Sequence, residues 1–596
     1  MKKYLSYSII SIFVLMTVLC VRCTRVLDQP NLSAYDSTAI WSDSSLVNSY
    51  LANLYNVFGN WNVSLDRLDD QVSGIGFPTD AITVTDAGPL ATWGYATIRL
   101  INEGITQVKA GNTSDGFKKK SLGQLYFLRA YEYFPMVTTY GGVPYLKVAQ
   151  DRYKDSLNIP RNSTKECFDF MLQDIDSAIA LLPQHILPSS TTDWGRVDGN
   201  FALAFKAKVL LYMASPQFNP SKPWDNAYWQ DAYKVNKEAY ESLKTQGYAL
   251  IDDYSQIALQ EKNSEIVFSV TNQYPNKIAN WDNGARPGSL SRGTASVTPT
   301  WEMVKDFPML DGKASDDPSG KYYKPANTFM QSFWENRDPR FEKSIVWNGK
   351  LFPVAGTPST YRQYTGVGIA DPLDAFGVNP NAGVTSANNN KYSGFFILKN
   401  CDLNLTQAQV QGNYAVDFVV MRFAEVMLNY AEAANETGHS DEALEILKAI
   451  RGRAGIEPGS DGKYGITASS RTQYRQAIMD ERNVEFCFEG MRFNDLRRWR
   501  RYDLLNNVAK HGLEAIAKKA DGSQMPIEQA QALCSNYSLE PGDFTYTELQ
   551  IPISGVRINT VPDKYYFAPL QSSVIAAGDK LEQNKDWGGT FDPTIH

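Results

Sequence analysis

Histidine is scarce in this chain: four residues in 596, His185, His439, His511 and His596, no two of them at the spacing of a metal site. No local zinc or haem motif can be built from them, so neither a metal nor a cofactor is expected. Cysteine is nearly as sparse. Beyond Cys20 and Cys23 there remain Cys167, Cys401, Cys487 and Cys534, far apart and without a CxxC pair. They read as small buried hydrophobes, and a disulfide framework is not implied. Positive charge is also in deficit, with 58 Lys and Arg against 65 Asp and Glu and a formal charge of -7. Loss of Lys2, Lys3 and Arg22 with a leader would take this to -7 - 3 = -10. Such a balance argues against nucleic acid, whose phosphates demand a basic face. Long apolar runs are missing except at the start, from Leu5 to Leu19, and about 15 residues fall short of a membrane span.

That opening is informative in itself. Two lysines, the apolar run and then a cysteine read as a secretory signal. A cysteine placed where a small-residue cleavage site would otherwise stand points to a bacterial lipoprotein signal. Cys23, where the polar tail begins, is expected to be the lipidated residue, with Cys20 or an ordinary cleaved signal without lipid as the alternatives; Arg22 and Leu19 are not the small residues that usually precede such a cysteine. Several acyl chains anchor a protein stably where a single one would not.

What is abundant is aromatic: 12 Trp and 33 Tyr, 12% aromatic overall. Many lie in segments with helical periodicity. Trp41 to Phe58 carries Leu46, Tyr50, Leu51, Leu54 and Val57 on one face, and further helices are expected at about 93–108, 117–137, 164–182, 200–214 and 228–246. Ser163 and Glu166 form a capping box, and Gly247 stands as a left-handed stop. The clearest pair runs from Phe418 to Glu436 and from Ser440, read as an N-cap, to Ala454. Its small residues Ala424, Ala431, Ala433 and Ala434 resemble the packing of a tetratricopeptide hairpin. The expected fold is mainly α: a helical-repeat scaffold over about 41–270 and 416–505, a loop-rich subdomain with short strands over about 271–415, and an irregular C-terminal region over 506–596. These form one domain, 41–596, preceded by a signal (1–22) and a linker (23–40).

The motifs then become specific. YFLRAYEYF (126–134) leads to YGGVP (140–144); NRDPRF (336–341), MRFAEV (421–426) with NYAEA (429–433), IRGRAG (450–455), and DER (480–482) through FEGMRFNDLRRW (488–499) follow in order, and LEQN (581–584) lies near the end. Together they resemble the SusD/RagB family of Bacteroidetes outer-membrane lipoproteins over essentially the whole chain after the leader. The chain departs from the family at the cleavage site and at FAPL (567–570), where Pro-Ile-Pro is frequent. The resemblance implies a tetratricopeptide-like helical fold, lipid-anchored at the cell surface through the outer membrane. It implies a non-catalytic protein that captures a glycan for a SusC-like TonB-dependent transporter, with peptide capture of the RagB type as the alternative. The charged motif residues Arg129, Arg422, Glu425, Glu481, Arg482 and Arg492 are expected as internal ion pairs that fix helix packing.

A glycan site needs an aromatic face bordered by hydrogen-bonding groups. The best stretch is the polar, turn-rich loop 272–287, with Tyr274, Trp281, Asn283 and Arg286. Trp281 is expected there as a stacking platform or, alternatively, as the loop's anchor. Trp301 and Trp93, the latter beyond a loop containing Asp80, are further candidates. Arg286, Arg292 and Lys277 leave a uronate-containing ligand open. Asp311, Asp316 and Asp317 lack the alternation and distal Glu of an EF-hand and read as a solvated turn.

Overall fold

The computed structural model describes residues 40–61, 68–73, 82–151, 153–291, 297–370, 374, 393–506, 508–551 and 561–595. Cys20, Cys23 and Asp80 lie outside them. Six helices open the scaffold: α1 (Ser44–Leu54), α2 (Tyr95–Ala110), α3 (Asp115–Tyr140), α4 (Thr164–Leu181), α5 (Gly199–Ala214) and α6 (Tyr228–Thr245). Each of α2 to α6 packs on the one before it, apart from α1 onto both α2 and α3. Their starts are chemically specified. Ser163 accepts from the Glu166 amide while the Glu166 carboxylate accepts from that of Ser163, so two otherwise unpaired donors are satisfied reciprocally. Asp198 caps α5, the most completely buried of the six, and Ser114 caps α3. Among the described residues no helix is long and apolar enough to cross a membrane.

Strand β1 (Ile266–Val270) follows, then the short helices α7 (Trp281–Ala285), α8 (Trp301–Asp306) and α9 (Pro339–Ser344), and β2 (Ile345–Trp347) paired antiparallel with β3 (Phe395–Ile397). Phe418, expected as the start of a long helix, instead opens strand β4 (Phe418–Arg422), antiparallel to β1. Its aromatic and β-branched residues Phe418, Val419 and Val420 suit a pleated strand better than a helix. Helix α10 (Phe423–Glu436) then packs on α6 and forms a hairpin with α11 (Ser440–Ala454). Ser440 is not the cap expected there: His439 occupies the N-cap without a side-chain bond, and the Ser440 hydroxyl donates to Asn435 at 2.8 Å. Helices α12 (Arg471–Glu485) and α13 (Arg492–Arg498) complete the scaffold, and the chain closes on a hairpin of β5 (His511–Ala517) and β6 (Phe544–Gln550). This is the mainly helical architecture with short paired strands that the periodicity implies.

Two large apolar cores and a small third cluster (Val346, Phe352, Val354, Phe396) result among the described residues. One large core fills the helical layer, from Val47 to Ile595, and the other joins the central region (Trp281, Trp301, Phe333, Phe341, Phe395) to the closing hairpin (Leu513, Phe544, Tyr546). The closing LEQN stretch serves the first: Asn584, fully buried, donates to the carbonyls of Ala568 and Tyr140, and the Gln583 amide both accepts from and donates to the Leu570 backbone.

Between the cores lies a seam of buried charge. Arg340 donates to Glu481 at 2.7 Å, Glu485 at 2.8 Å and Asp338 at 2.7 Å. Arg422 reaches Glu265 and Glu485 at 2.7 Å each and Glu489 at 2.9 Å. Arg451 pairs with Glu481, Arg453 with Glu265 and Glu485, and Lys399 with Glu489. The other motif charges are paired as well: Arg129 with Asp174, Glu425 with Lys208, Arg482 with Asp495 and Arg492 with Asp70. Burial alone would raise the Glu485 carboxyl, but Arg453, Arg422 and Arg340 hold it well below the usual carboxylate range. Glu481 and Glu489 are likewise pushed up by burial and pulled lower still by their arginines.

Removing one partner from such a seam leaves a buried charge uncompensated. Glu485→Gln is expected to lower unfolding stability by about 3–5 kcal/mol in urea titrations. Because these carboxyls titrate lower in the folded than in the unfolded chain, the stability they confer is complete above the unfolded values and is lost as pH falls through the folded ones. The urea midpoint of the unaltered protein should therefore drop progressively below roughly pH 5.

Candidate functional site

Loop 272–287 is built from its buried side chains outward. Trp281, expected as an open stacking platform, is only 2% exposed: its ring packs against Trp61 at 4.8 Å between centroids, and its indole N–H donates to the Lys399 carbonyl at 3.0 Å. No sugar can reach its face, so the anchoring alternative describes it. Arg286 is buried too, paired with Asp282 at 3.0 Å and donating to the Asp402 carbonyl, while Asp282 accepts from the Asp402 amide at 3.0 Å. Burial pushes the Asp282 carboxyl up to about 7 against the pull of Arg286. The arginine's charge is thus spent inside the loop and is not presented to a ligand.

On that foundation the first half of the loop stands proud. Gln273 and Lys277 exchange backbone hydrogen bonds at 2.9 and 2.8 Å, which closes a tight turn with Tyr274 at its tip, the Tyr274-Pro275 peptide being cis. The turn is tied down by Asn272, whose amide exchanges bonds with Asn60 (2.8 and 3.1 Å) and donates to the Val416 carbonyl. The Asn272 backbone donates to Asp417, whose carboxyl burial raises to about 6 against that bond. Tyr274 is 46% exposed and stacks on Tyr414, centroids 3.8 Å apart and planes 18° from parallel. The short helix Gln407–Gln411, opened by a Thr406–Gln409 capping box, leads into this partner, and Asn413 adopts φ +57° just before it. Asn283 donates toward the Asn413 side chain at 3.4 Å. The outcome is an exposed Tyr274 ring stacked on a half-buried Tyr414.

The remaining candidates fall elsewhere. Trp301, 2% exposed, is sandwiched near Phe329 and Phe395, and its indole N–H donates to Glu548 at 2.9 Å. It borders a groove of about 1070 Å³, lined also by Asp70, Asp306, Asp480 and Arg492. Asp306 opens into this groove yet is surrounded by protein mass, which raises its carboxyl to about 7, with Asp70 adding to the effect. Trp93 is 38% exposed and leans on Tyr95 and Tyr140. It lines a cleft of about 430 Å³ with Leu146, Val148, Leu157 and Arg99. No residue of loop 272–287 lines either cavity. Asp311 and Asp317 accept backbone amides of Lys313, Lys321 and Ser319, a hydrogen-bonded turn.

Comparison with known proteins identifies the family of the chain. The model of the SusD family matches residues 256–587, more than half of the chain. The chain belongs to the SusD family. A second family model, described as starch-binding and associating with the outer membrane, matches residues 16–211. A SusD-like protein of Formosa agariphila is 23% identical over 384 residues, covering 63% of this chain and 66% of that relative's own length. A SusD-like protein of Bacteroides fragilis superposes with a TM-score of 0.70 at 25% identity, covering 92% of this chain and 98% of its own. A SusD-like carbohydrate-binding protein of the same organism gives 0.69 at 19% identity, covering 91% and 99%.

Tyr414 escaped the sequence reading because nothing local marks it; only folding brings it under Tyr274, 140 positions away in numbering (414 - 274). The two halves of the loop should respond differently to truncation. Trp281→Ala, which empties a buried site, is expected to cost about 3–5 kcal/mol of stability. Tyr274→Ala removes a half-open ring stacked on one neighbour and should cost about 1 kcal/mol. Thermal and urea unfolding of the two variants check this.

Proposed function

We propose that this SusD-family chain binds an oligo- or polysaccharide at the cell surface, tethered to the outer membrane through acylated Cys23, and passes it to a SusC-like TonB-dependent transporter. The observation that carries the reading is the exposed Tyr274 ring stacked on the half-buried Tyr414, with Asn283 bonded to the neighbouring Asn413, on a loop tied down through Asn272. A pyranose offers an apolar C–H face and a rim of hydroxyls; aromatic rings take the first and amides, as both donors and acceptors, the second. The family models and the carbohydrate-binding neighbour support the same ligand class.

Charge favours a neutral sugar over a uronate. Arg286 is satisfied by Asp282, and Lys277 has its ammonium disfavoured by partial burial. The alternative of peptide capture draws on the cleft beside Trp93, lined by Leu146, Val148 and Leu157. Loss of Trp281 would collapse the loop and abolish binding for an indirect reason, so the informative substitutions are the tyrosines.

Affinity electrophoresis through neutral and uronate-rich polysaccharides tests the reading. Retardation by a neutral glycan is expected, and Tyr274→Ala and Tyr414→Ala should each weaken it about tenfold, the scale of losing a buried ring contact worth roughly 1–1.5 kcal/mol. Unchanged retardation in both folded variants would move the site to the Trp93 cleft or the Trp301 groove, and binding of peptides alone would replace the glycan reading.

A further inference from the structure

The wall of the groove beside Trp301 holds the one cluster among the described residues in which three metal-ligating side chains converge. Glu302 on α8, His511 on β5 and Glu548 on β6 bring Glu302 Oε1, His511 Nδ1 and Glu548 Oε1 within 4.8 Å of one another. His511 and Glu548 share a face of the hairpin, because His511 is paired with Gln550 and Glu548 stands two positions earlier. Helix α8 packs across that face and supplies the third group.

Three features separate this cluster from a chance gathering of carboxylates. One donor is an imidazole, which a solvated acidic patch does not have. His511 Nδ1 sits 2.7 Å from Glu302 and 3.8 Å from Glu548, so a single atom could be approached by all three. Each carboxylate is also oriented through its other oxygen. Glu302 Oε2 accepts the His511 backbone N–H at 3.0 Å, and Glu548 Oε2 accepts the Trp301 indole N–H at 2.9 Å, which leaves both Oε1 atoms aimed at the imidazole. Outer contacts that fix the free oxygen of a ligating carboxylate are the usual support of a metal site. The competing cation is Lys305, whose ammonium is 3.9 Å from Glu548 on an exposed, flexible stem.

We infer that Glu302, His511 and Glu548 form a site for a divalent transition metal of the zinc type, with its open coordination positions facing the groove. One nitrogen and two oxygens suit zinc and its first-row neighbours better than calcium or magnesium, which take oxygen alone. On binding, the metal takes the lone pair of His511 Nδ1: an imidazolium gives up its Nδ1 proton to solvent, and a neutral ring keeps its single proton on Nε2. A bound ion would also tie α8 to the closing hairpin, two elements of the second core separated by more than 200 positions in the chain, since His511 follows Glu302 by 209.

The test is calorimetry of the tag-free, chelator-treated protein with zinc chloride, with cobalt chloride followed by visible absorption as a second readout. One zinc per chain is expected, with cobalt giving a d–d band below six-coordinate energies of the aqueous ion and calcium chloride failing to compete. His511→Ala and Glu548→Gln should each weaken zinc at least about tenfold, the scale of losing a ligand or its orienting contact. If His511→Ala does not fold, Glu548→Gln and the cobalt spectrum of the unaltered chain still decide. Zinc binding unchanged in a folded variant, equal competition by calcium, or no saturable binding by the unaltered protein would each overturn the site.

Discussion

The structure depends on one seam of buried charge. Five cations (Arg340, Lys399, Arg422, Arg451, Arg453) meet five carboxylates (Glu265, Asp338, Glu481, Glu485, Glu489) where the helical scaffold meets the core of the central region and closing hairpin. Such a network is not the most stable filling of that space, since apolar groups of the same volume do as well or better. Its contribution is geometric. Bidentate guanidinium contacts accept few orientations, and Arg340 arrives from α9 while Glu481 and Glu485 belong to α12, so the network fixes how one core sits on the other.

That placement also fixes loop 272–287. Lys399, in the seam through Glu489, offers its backbone carbonyl to the Trp281 indole, and Arg422, also in the seam, ends the strand β4 that continues from Asp417 and Val416 under the Asn272 clamp. Scaffold charge, buried tryptophan and exposed tyrosine thus form a continuous chain of contacts. A site for a sugar gains from this arrangement because a ring face held in advance loses little freedom on binding.

Much of the scaffold was legible in the sequence. Helices with strong periodicity and explicit caps, such as α4 behind Ser163 and Glu166, formed within a few residues of their expected limits. The paired character of Arg129, Arg422 and Arg492 followed from charges embedded in apolar segments, although Arg422 ends a strand and not a helix. Local propensity misled only at Phe418, where pairing with β1 was invisible until both strands were placed, and at Ser440. The site was less legible. A tryptophan in a polar loop carries no mark of which way its ring faces; Trp281 turned inward because Trp61, 220 positions earlier (281 - 61), provides a surface for it. Tyr414 and the Glu302–His511–Glu548 cluster are likewise products of long-range contacts, to which spacing along the chain is blind.

Amide hydrogen exchange compared between the unaltered protein and Glu485→Gln tests the role of the seam most directly. If the seam holds the core of the central region and closing hairpin in register, exchange should accelerate in β2, β3 and the Trp281–Ala285 turn while the paired helices α3 and α4 keep their protection. Exchange that rises uniformly through both cores, or that stays unchanged in the central elements of a protein destabilised elsewhere, would contradict it.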